Sequence, residues 1–202
     1  MRHRNKLIIN IRRKDIIMKK TITLGITGAI GASNIIDYCI FLSVKYDINI
    51  IMTENAKKFI SREVLNYYTK NVYSDYSDSL SSVLHADLAK NTDMFIIIPA
   101  TANTISKIAH GIGDNLLTTT ALIYTGKIFF APNMNINIWK NKIVQNNVKL
   151  LKDYGHEFIN TTKTSYAVCE RKFIEIDCAL PTPKELLSII EDYFNEGTHH
   201  EQ

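Results

Sequence analysis

Residues 21–52 read TITLGITGAIGASNIIDYCIFLSVKYDINIIM. Thr21 to Ile26 is a short apolar strand, after which Gly25, Gly28 and Gly31 punctuate a turn. Ser33 and Asn34 are N-cap candidates for a helix through Tyr46 with Ile36, Ile40 and Val44 on one face. A second strand, Ile48 to Met52, follows at once. Strand, small-residue turn, helix and strand in this order predict a βαβ unit and hence a mostly parallel sheet covered by helices.

The alternation continues outward from this unit. A helix is expected from Glu54 to Tyr68, a polar loop from Tyr73 to Ser82, and a short helix from His85 to Lys90. Met94 to Ile98 is an unbroken apolar strand ending at Pro99, and such runs lie in the middle of sheets buried on both faces. Two helices, Thr101 to Ile112 and Asp114 to Tyr124, break at Gly111 and Gly113. Then come a strand from Lys127 to Ala131, a proline-and-asparagine turn into Trp139, a helix from Asn141 to Tyr154 and a weak strand, Glu157 to Ile159. Thr161 to Leu180 lacks helical period and reads as a hairpin or a mobile lid, before a last amphipathic helix from Pro181 to Asn195.

Composition sets the outer limits. The chain has 202 residues, 46% hydrophobic and 22% charged, with 8 Gly and 4 Pro, which suits one folded domain and excludes disordered and collagenous classes. No apolar run approaches the roughly 18–20 residues that a membrane-spanning helix needs. Cys39, Cys169 and Cys178 include no CxxC and no zinc-like spacing, so neither a disulfide framework nor a metal site is expected, and a reducing cytoplasm is the simplest location. The net charge of +4 resides in the first 20 residues, which hold eight Lys or Arg against Asp15 alone. The other 182 residues hold 16 bases and 19 acids, so nucleic-acid binding is not indicated for the body. Residues 1–19 read as a disordered basic leader without a secretory signal, with Met18 as an alternative start, and 197–202 as a frayed tail.

Five places can carry chemistry. The turn from Gly25 to Ser33 suits phosphate, because small residues let backbone N–H groups and a helix N-terminus approach an anion, although it is equally a tight strand-to-helix turn and lacks GxGxxG. The second strand ends in Thr53, where dinucleotide folds commonly place an acid, and a hydroxyl there suits a phosphate monoester. After the two later strands come Pro99-Ala100-Thr101-Ala102-Asn103-Thr104 and Pro132-Asn133-Met134-Asn135-Ile136-Asn137-Ile138-Trp139. Together the loops supply amides and hydroxyls where open α/β sheets keep ligands, and either alone could be a capped turn. His85 stands between a polar loop and a short helix, where an imidazole can act as a base near neutral pH or simply decorate a helix start.

These loops carry a resemblance. Pro99 to Thr104 resembles the PASANT motif with Thr101 in place of its serine, and Pro132 to Trp139 resembles PxMNxxMW with Ile138 in place of its second methionine. Both motifs belong to the flavin-containing cysteine decarboxylases, a family that includes phosphopantothenoylcysteine decarboxylase and the peptidyl-cysteine decarboxylases of lantibiotic biosynthesis. The similarity runs from about Lys20 to Asn195, and His85 matches the family's catalytic histidine. The resemblance implies a flavodoxin-like three-layer subunit over 20–196, a substrate clamp at 161–181, and assembly into trimers or dodecamers with flavin near subunit contacts. It implies FMN, with FAD as the alternative, held by Gly28, Ala29, Ile30, Ser33, Thr53, Pro99, Thr101, Ala102, Asn103 and Thr104.

The implied reaction oxidises a cysteine thiol to a thioaldehyde, whose C=S group accepts the electrons released as the adjacent carboxylate leaves as CO2, giving an enethiol. His85 would move protons at the reacting carbon and Asn135 would hold the substrate carboxylate, with Asn133, Met134, Tyr166 and Cys169 around the substrate. Phosphopantothenoylcysteine decarboxylases carry a clamp cysteine in an ACG setting. Here the region reads Ser165-Tyr166-Ala167-Val168-Cys169-Glu170-Arg171-Lys172, without the glycine that follows or the glycine-rich continuation. Gly111 to Leu117 and Asn133 to Ile136 look closer to the lantibiotic enzymes, although the clamp departs from their phenylalanine-and-glycine pattern. The expected substrate is therefore the C-terminal cysteine of a ribosomally made precursor peptide, with the coenzyme A intermediate as the alternative.

Overall fold

The structure is a computed structural model that describes residues 19–69, 71–74, 83–167 and 171–197. Six parallel strands form the main sheet: β1 (Thr21–Ile26), β2 (Asp47–Met52), β3 (Asn71–Tyr73), β4 (Met94–Ala100), β5 (Ile128–Pro132) and β6 (Glu157–Phe158). Their order is β3-β2-β1-β4-β5-β6. The helices are α1 (Ile35–Ser43), α2 (Arg62–Leu65), α3 (Leu84–Lys90), α4 (Ala102–Ala109), α5 (Leu116–Ile123), α6 (Ile136–Trp139), α7 (Lys142–Asp153) and α8 (Pro183–Gly197). An antiparallel hairpin, β7 (Thr161–Ala167) and β8 (Lys172–Ala179), forms a second small sheet.

The strand pattern explains the three layers. Every residue of β4 is buried, and its side chains alternate: Met94, Ile96 and Ile98 join the core under α1 and α8, whereas Phe95 and Ile97 join the core under α4, α5 and α7. On β1, Ile22, Leu24 and Ile26 take the first face and leave Thr23 and Gly25 to the second. A Cβ on Gly25 would stand 2.5 Å from Leu117 Cδ1, so glycine lets α5 lie close to the sheet. Cys39 and Cys178 are buried free thiols, and burial pushes Cys39 up to about 12. Among the described residues no helix is long and apolar enough to cross a membrane, and no His, Cys, Asp and Glu cluster could hold a metal ion.

Four expectations need correction. Ser33 does not cap α1: it lies inside a 3-10 turn, Ile30–Asn34, with its hydroxyl donating to the Ile30 carbonyl at 2.8 Å. The buried face of α1 is Ile35, Tyr38, Cys39 and Leu42, while Ile40 and Val44 are exposed; the helix is apolar nearly all round, so periodicity could not choose the face. The helix expected over 54–68 is a 3-10 turn, Ala56–Lys58, and then α2, because Ser61 accepts from the Val64 N–H at 3.3 Å and starts a new helix. Asn71–Tyr73, whose last residue began the expected loop, is the edge strand β3. Thr161 to Leu180 takes the hairpin form of the two left open.

The strand order has one consequence for chemistry. From β1 the chain moves toward β2 and β3, and from β4 it moves the other way to β5 and β6. Loops leaving the carboxyl ends of β1 and β4 therefore diverge and open a crevice, the place where ligands sit in open α/β sheets.

Candidate active site

The crevice holds a cleft of about 780 Å3, within the usual range for small-molecule sites. Its walls are residues 27–30 after β1, 53–55 after β2, 101–104 after β4, 133–136 after β5, and the inner side of the hairpin at Ser165, Tyr166, Ile174 and Ile176. A second hollow of equal volume opens at the amino-terminal ends of β1 to β3, among Tyr46, Asp47, Tyr67 and Asp87. The motif loops leave the carboxyl ends of the strands and face the first cleft.

The floor is tied together by Thr27, which sequence reasoning missed. Its buried hydroxyl donates to the Pro99 carbonyl at 2.5 Å and accepts from the Thr101 N–H at 3.0 Å. Beside it, a Cβ on Gly28 would come within 2.4 Å of Asn55 Cβ and 3.1 Å of the Asn55 carbonyl carbon, so glycine is needed where these two loops meet. The Gly31 N–H donates to Asn133 Oδ1 at 3.1 Å, linking the glycine turn to the loop after β5. Thr53 faces the cleft with its N–H on the Ile26 carbonyl at 2.9 Å.

The PATANT loop becomes the start of α4. Thr101 is the N-cap, accepting from the Thr104 N–H at 3.4 Å, and the helix N-terminus opens toward the cleft with Ala102, Asn103 and Thr104 in its wall. In the loop after β5, Asn135 caps α6 by accepting from the Asn137 N–H at 2.8 Å. Its Oδ1 is thereby occupied, and its Nδ2 is the polar end that can donate to an anion. Met134 lines the cleft and its carbonyl accepts from the Cys178 thiol at 3.7 Å; burial raises that thiol above its ordinary range.

Most residues singled out in the sequence meet here: Gly28, Ala29, Ile30, Thr53, Thr101, Ala102, Asn103, Thr104, Asn133, Met134, Asn135 and Tyr166. Three stand outside the wall. Ser33 is on the far side of its turn, Pro99 lies beneath the floor, and His85 is on α3, half-buried with its Nδ1 enclosed. Cys169 lies outside the described residues. Lys107, Asn115, Glu54, Asn55, Ser165, Ile174 and Ile176 were not foreseen. The Lys107 position on α4, one turn past Asn103, was the available signal for it. Lys107 holds Asp114 at 2.5 Å and keeps that carboxyl below its ordinary range.

The cleft passes a simple test for a flavin. It combines a passage only glycine allows, a hydroxyl at the end of β2, a helix N-terminus and several amides, the donor set that phosphate and a heteroaromatic ring edge require. Comparison with known proteins points the same way. The family model described as Flavoprotein matches residues 11–195. Epidermin decarboxylase of Staphylococcus epidermidis is 41% identical over 128 residues, 63% of this chain and 70% of that protein. A probable phosphopantothenoylcysteine decarboxylase of Streptococcus mutans is 39% identical over 158 residues, 75% of this chain and 88% of its own. Among solved structures, a histidine variant of EpiD complexed with the substrate peptide DSYTC superposes with a TM-score of 0.77 at 31% identity, covering 85% of this chain and 98% of that one. This chain belongs to the flavoprotein family, among its flavin-dependent cysteine decarboxylases.

Proposed function

We propose that this cysteine decarboxylase acts on the C-terminal cysteine of a ribosomally made, lantibiotic-like precursor peptide, converting it to an aminoenethiol with FMN. One observation carries the preference for a peptide over phosphopantothenoylcysteine. The outer wall of the cleft is apolar, made by Ile136, Ile138, Tyr166, Ile174 and Ile176, and the only Lys or Arg among the described lining residues is Lys107, already paired with Asp114. A phosphorylated substrate would bring at least one full negative charge to a wall with little to neutralise it, whereas a peptide end brings one carboxylate for the Asn135 amide. The similarity to the Streptococcus mutans protein keeps the coenzyme A reaction as the alternative.

When bound, the flavin supplies a two-electron acceptor for the thiol. The residues of the chain do the rest. Gly28 and Thr53 with the α4 N-terminus hold the phosphate and ring, while Asn135 Nδ2 orients the substrate carboxylate through a charge-assisted hydrogen bond. Losing the carboxylate as CO2 places an electron pair on the former Cα–Cβ–S unit, and the sulfur takes the resulting charge. The hairpin side chains Tyr166, Ile174 and Ile176 exclude water while this happens. His85 moves the proton; because α3 stands outside the cleft of its own chain, it serves the cleft of a neighbouring copy in a homotrimer or dodecamer.

Such a reaction belongs in the cytoplasm, where a ribosomally made precursor is produced. Incubating the flavin-loaded protein with a peptide ending in cysteine tests it: a loss of CO2 and two hydrogens supports the peptide reaction, whereas turnover of phosphopantothenoylcysteine alone supports the alternative.

A further inference from the structure

The hairpin closes one side of the cleft, yet its two strands are anchored very differently. The inner end of β8 is part of the body: Cys178 and Ala179 are buried, and β8 packs on β5 and α6. β7 pairs with β8 alone, and a two-stranded ribbon by itself is marginal. Its first residues are stitched to the root of β8 by Thr161 Oγ1 on the Ala179 carbonyl at 3.2 Å, with Asn160 Nδ2 on the Asp177 carbonyl at 2.7 Å just before it. Among the described residues of β7, Lys163 alone carries a side chain that reaches beyond the hairpin and its root to a separate element. Its Nζ donates to the Leu180 carbonyl at 3.2 Å and to Glu185 Oε2 at 3.0 Å.

Glu185 is a firm anchor. It belongs to the capping box of α8, accepting from the Thr182 N–H at 2.6 Å while its own N–H donates to Thr182 Oγ1 at 3.2 Å. Leu186 and Ile190 fix α8 in the core with no exposure, and Tyr38 donates from α1 to the Pro181 carbonyl at 2.5 Å. Lys163 pairs across the ribbon with Ile176, one of the side chains that face the cleft.

We propose that the Lys163–Glu185 pair is a strut that sets how far the hairpin leans over the cleft, making both positioning residues for substrate closure although neither lines the site. The proposal rests on the peptide reading for its catalytic consequence and on the geometry alone for the strut. With the strut intact, Ile174 and Ile176 are held at the height the substrate end requires. Without it, β7 swings on the β8 root and closure must be ordered anew in each binding event.

Hydrogen exchange and kinetics on the flavin-loaded protein test this. In Lys163→Met, the amides of β7 and β8 should exchange about two- to fivefold faster, the factor of a part-exposed ion pair, while α8 keeps native protection. The KM for a peptide ending in cysteine should rise by the same factor with kcat within about twofold and flavin content unchanged. Glu185→Gln, which keeps an acceptor for the α8 cap, should reproduce the effect, and Lys163→Arg should restore the native values. Native exchange in Lys163→Met would overturn the strut whatever the substrate proves to be. Faster exchange with native KM, or a loss confined to kcat or flavin content, would overturn its role in closure. A native protein that leaves the peptide untouched would count against the peptide reading only, and exchange would still decide the strut.

Discussion

The Thr27 hydroxyl stands between two strand ends, 3.0 Å from the Thr101 N–H that it accepts and 2.5 Å from the Pro99 carbonyl to which it donates. One side chain thus joins the end of β1 to the start of α4 at the switch point of the sheet.

Thr27→Val keeps the shape and removes both bonds, taking a partner from the half-buried Thr101 N–H and from the buried Pro99 carbonyl. We expect a loss of about 1–3 kcal/mol in urea unfolding and weaker flavin binding, because Thr101 heads the helix whose N-terminus opens on the cleft. Native stability with native flavin affinity would show that the bridge is incidental.

Asn135→Asp separates capping from substrate binding. Aspartate can still accept from the Asn137 N–H, so α6 and overall stability should survive. If Asn135 holds the substrate carboxylate as proposed, the new charge meets it where the amide would donate, and kcat/KM should fall at least about tenfold. Native kinetics in that variant would remove Asn135 as the carboxylate's partner.

His85→Asn tests the proton carrier. The variant should retain flavin and quaternary structure and lose about 10²- to 10⁴-fold in kcat, the range of a missing general acid or base. Mixing it with an Asn135→Asp variant under conditions that exchange subunits should restore part of the activity if His85 serves a neighbour's cleft; no recovery in verified mixed oligomers would place both groups on one chain's site.

How much of this could be read beforehand differs by element. β4 and β5 were legible because central parallel strands are near-continuously apolar, β1 and β2 because short Ile- and Leu-bearing runs stand next to turn residues, and the two motif loops follow β4 and β5. β3 escaped because three residues, Asn71 to Tyr73, carry no period. The inward face of α1 was misread because Ile40 and Val44 are as apolar as the residues that pack, Ile36 among them. Thr27 and Lys163 each act through two hydrogen bonds to chain segments well removed in sequence, which no local pattern encodes. His85 was singled out by its neighbours in sequence, whereas its place outside the cleft wall depends on how α3 packs on α5.

His156 predicts a pH effect apart from catalysis. Burial lowers its pKa, and its Nδ1 accepts from the Ile128 N–H at 3.3 Å, which requires the neutral ring. The unfolded chain takes up this proton more readily than the folded one. Its contribution is therefore fully present above the ordinary imidazole value near 6.5 and is lost as pH falls through the lower folded value. His156→Asn, whose amide oxygen can accept the same N–H, should unfold with a shallower loss of stability between about pH 7 and 5. An unchanged pH slope would mean that other groups set it.

The measurement that bears most directly on the account is the mass of the product formed by the native protein from a peptide ending in cysteine. Oxidative decarboxylation removes CO2 and two hydrogens, about 46 Da, with electrons passing to the flavin. That loss is expected at the C-terminal cysteine and is abolished when the peptide ends in serine. A loss of about 44 Da, CO2 alone with the thiol restored, or an unmodified peptide beside rapid turnover of phosphopantothenoylcysteine, would contradict it.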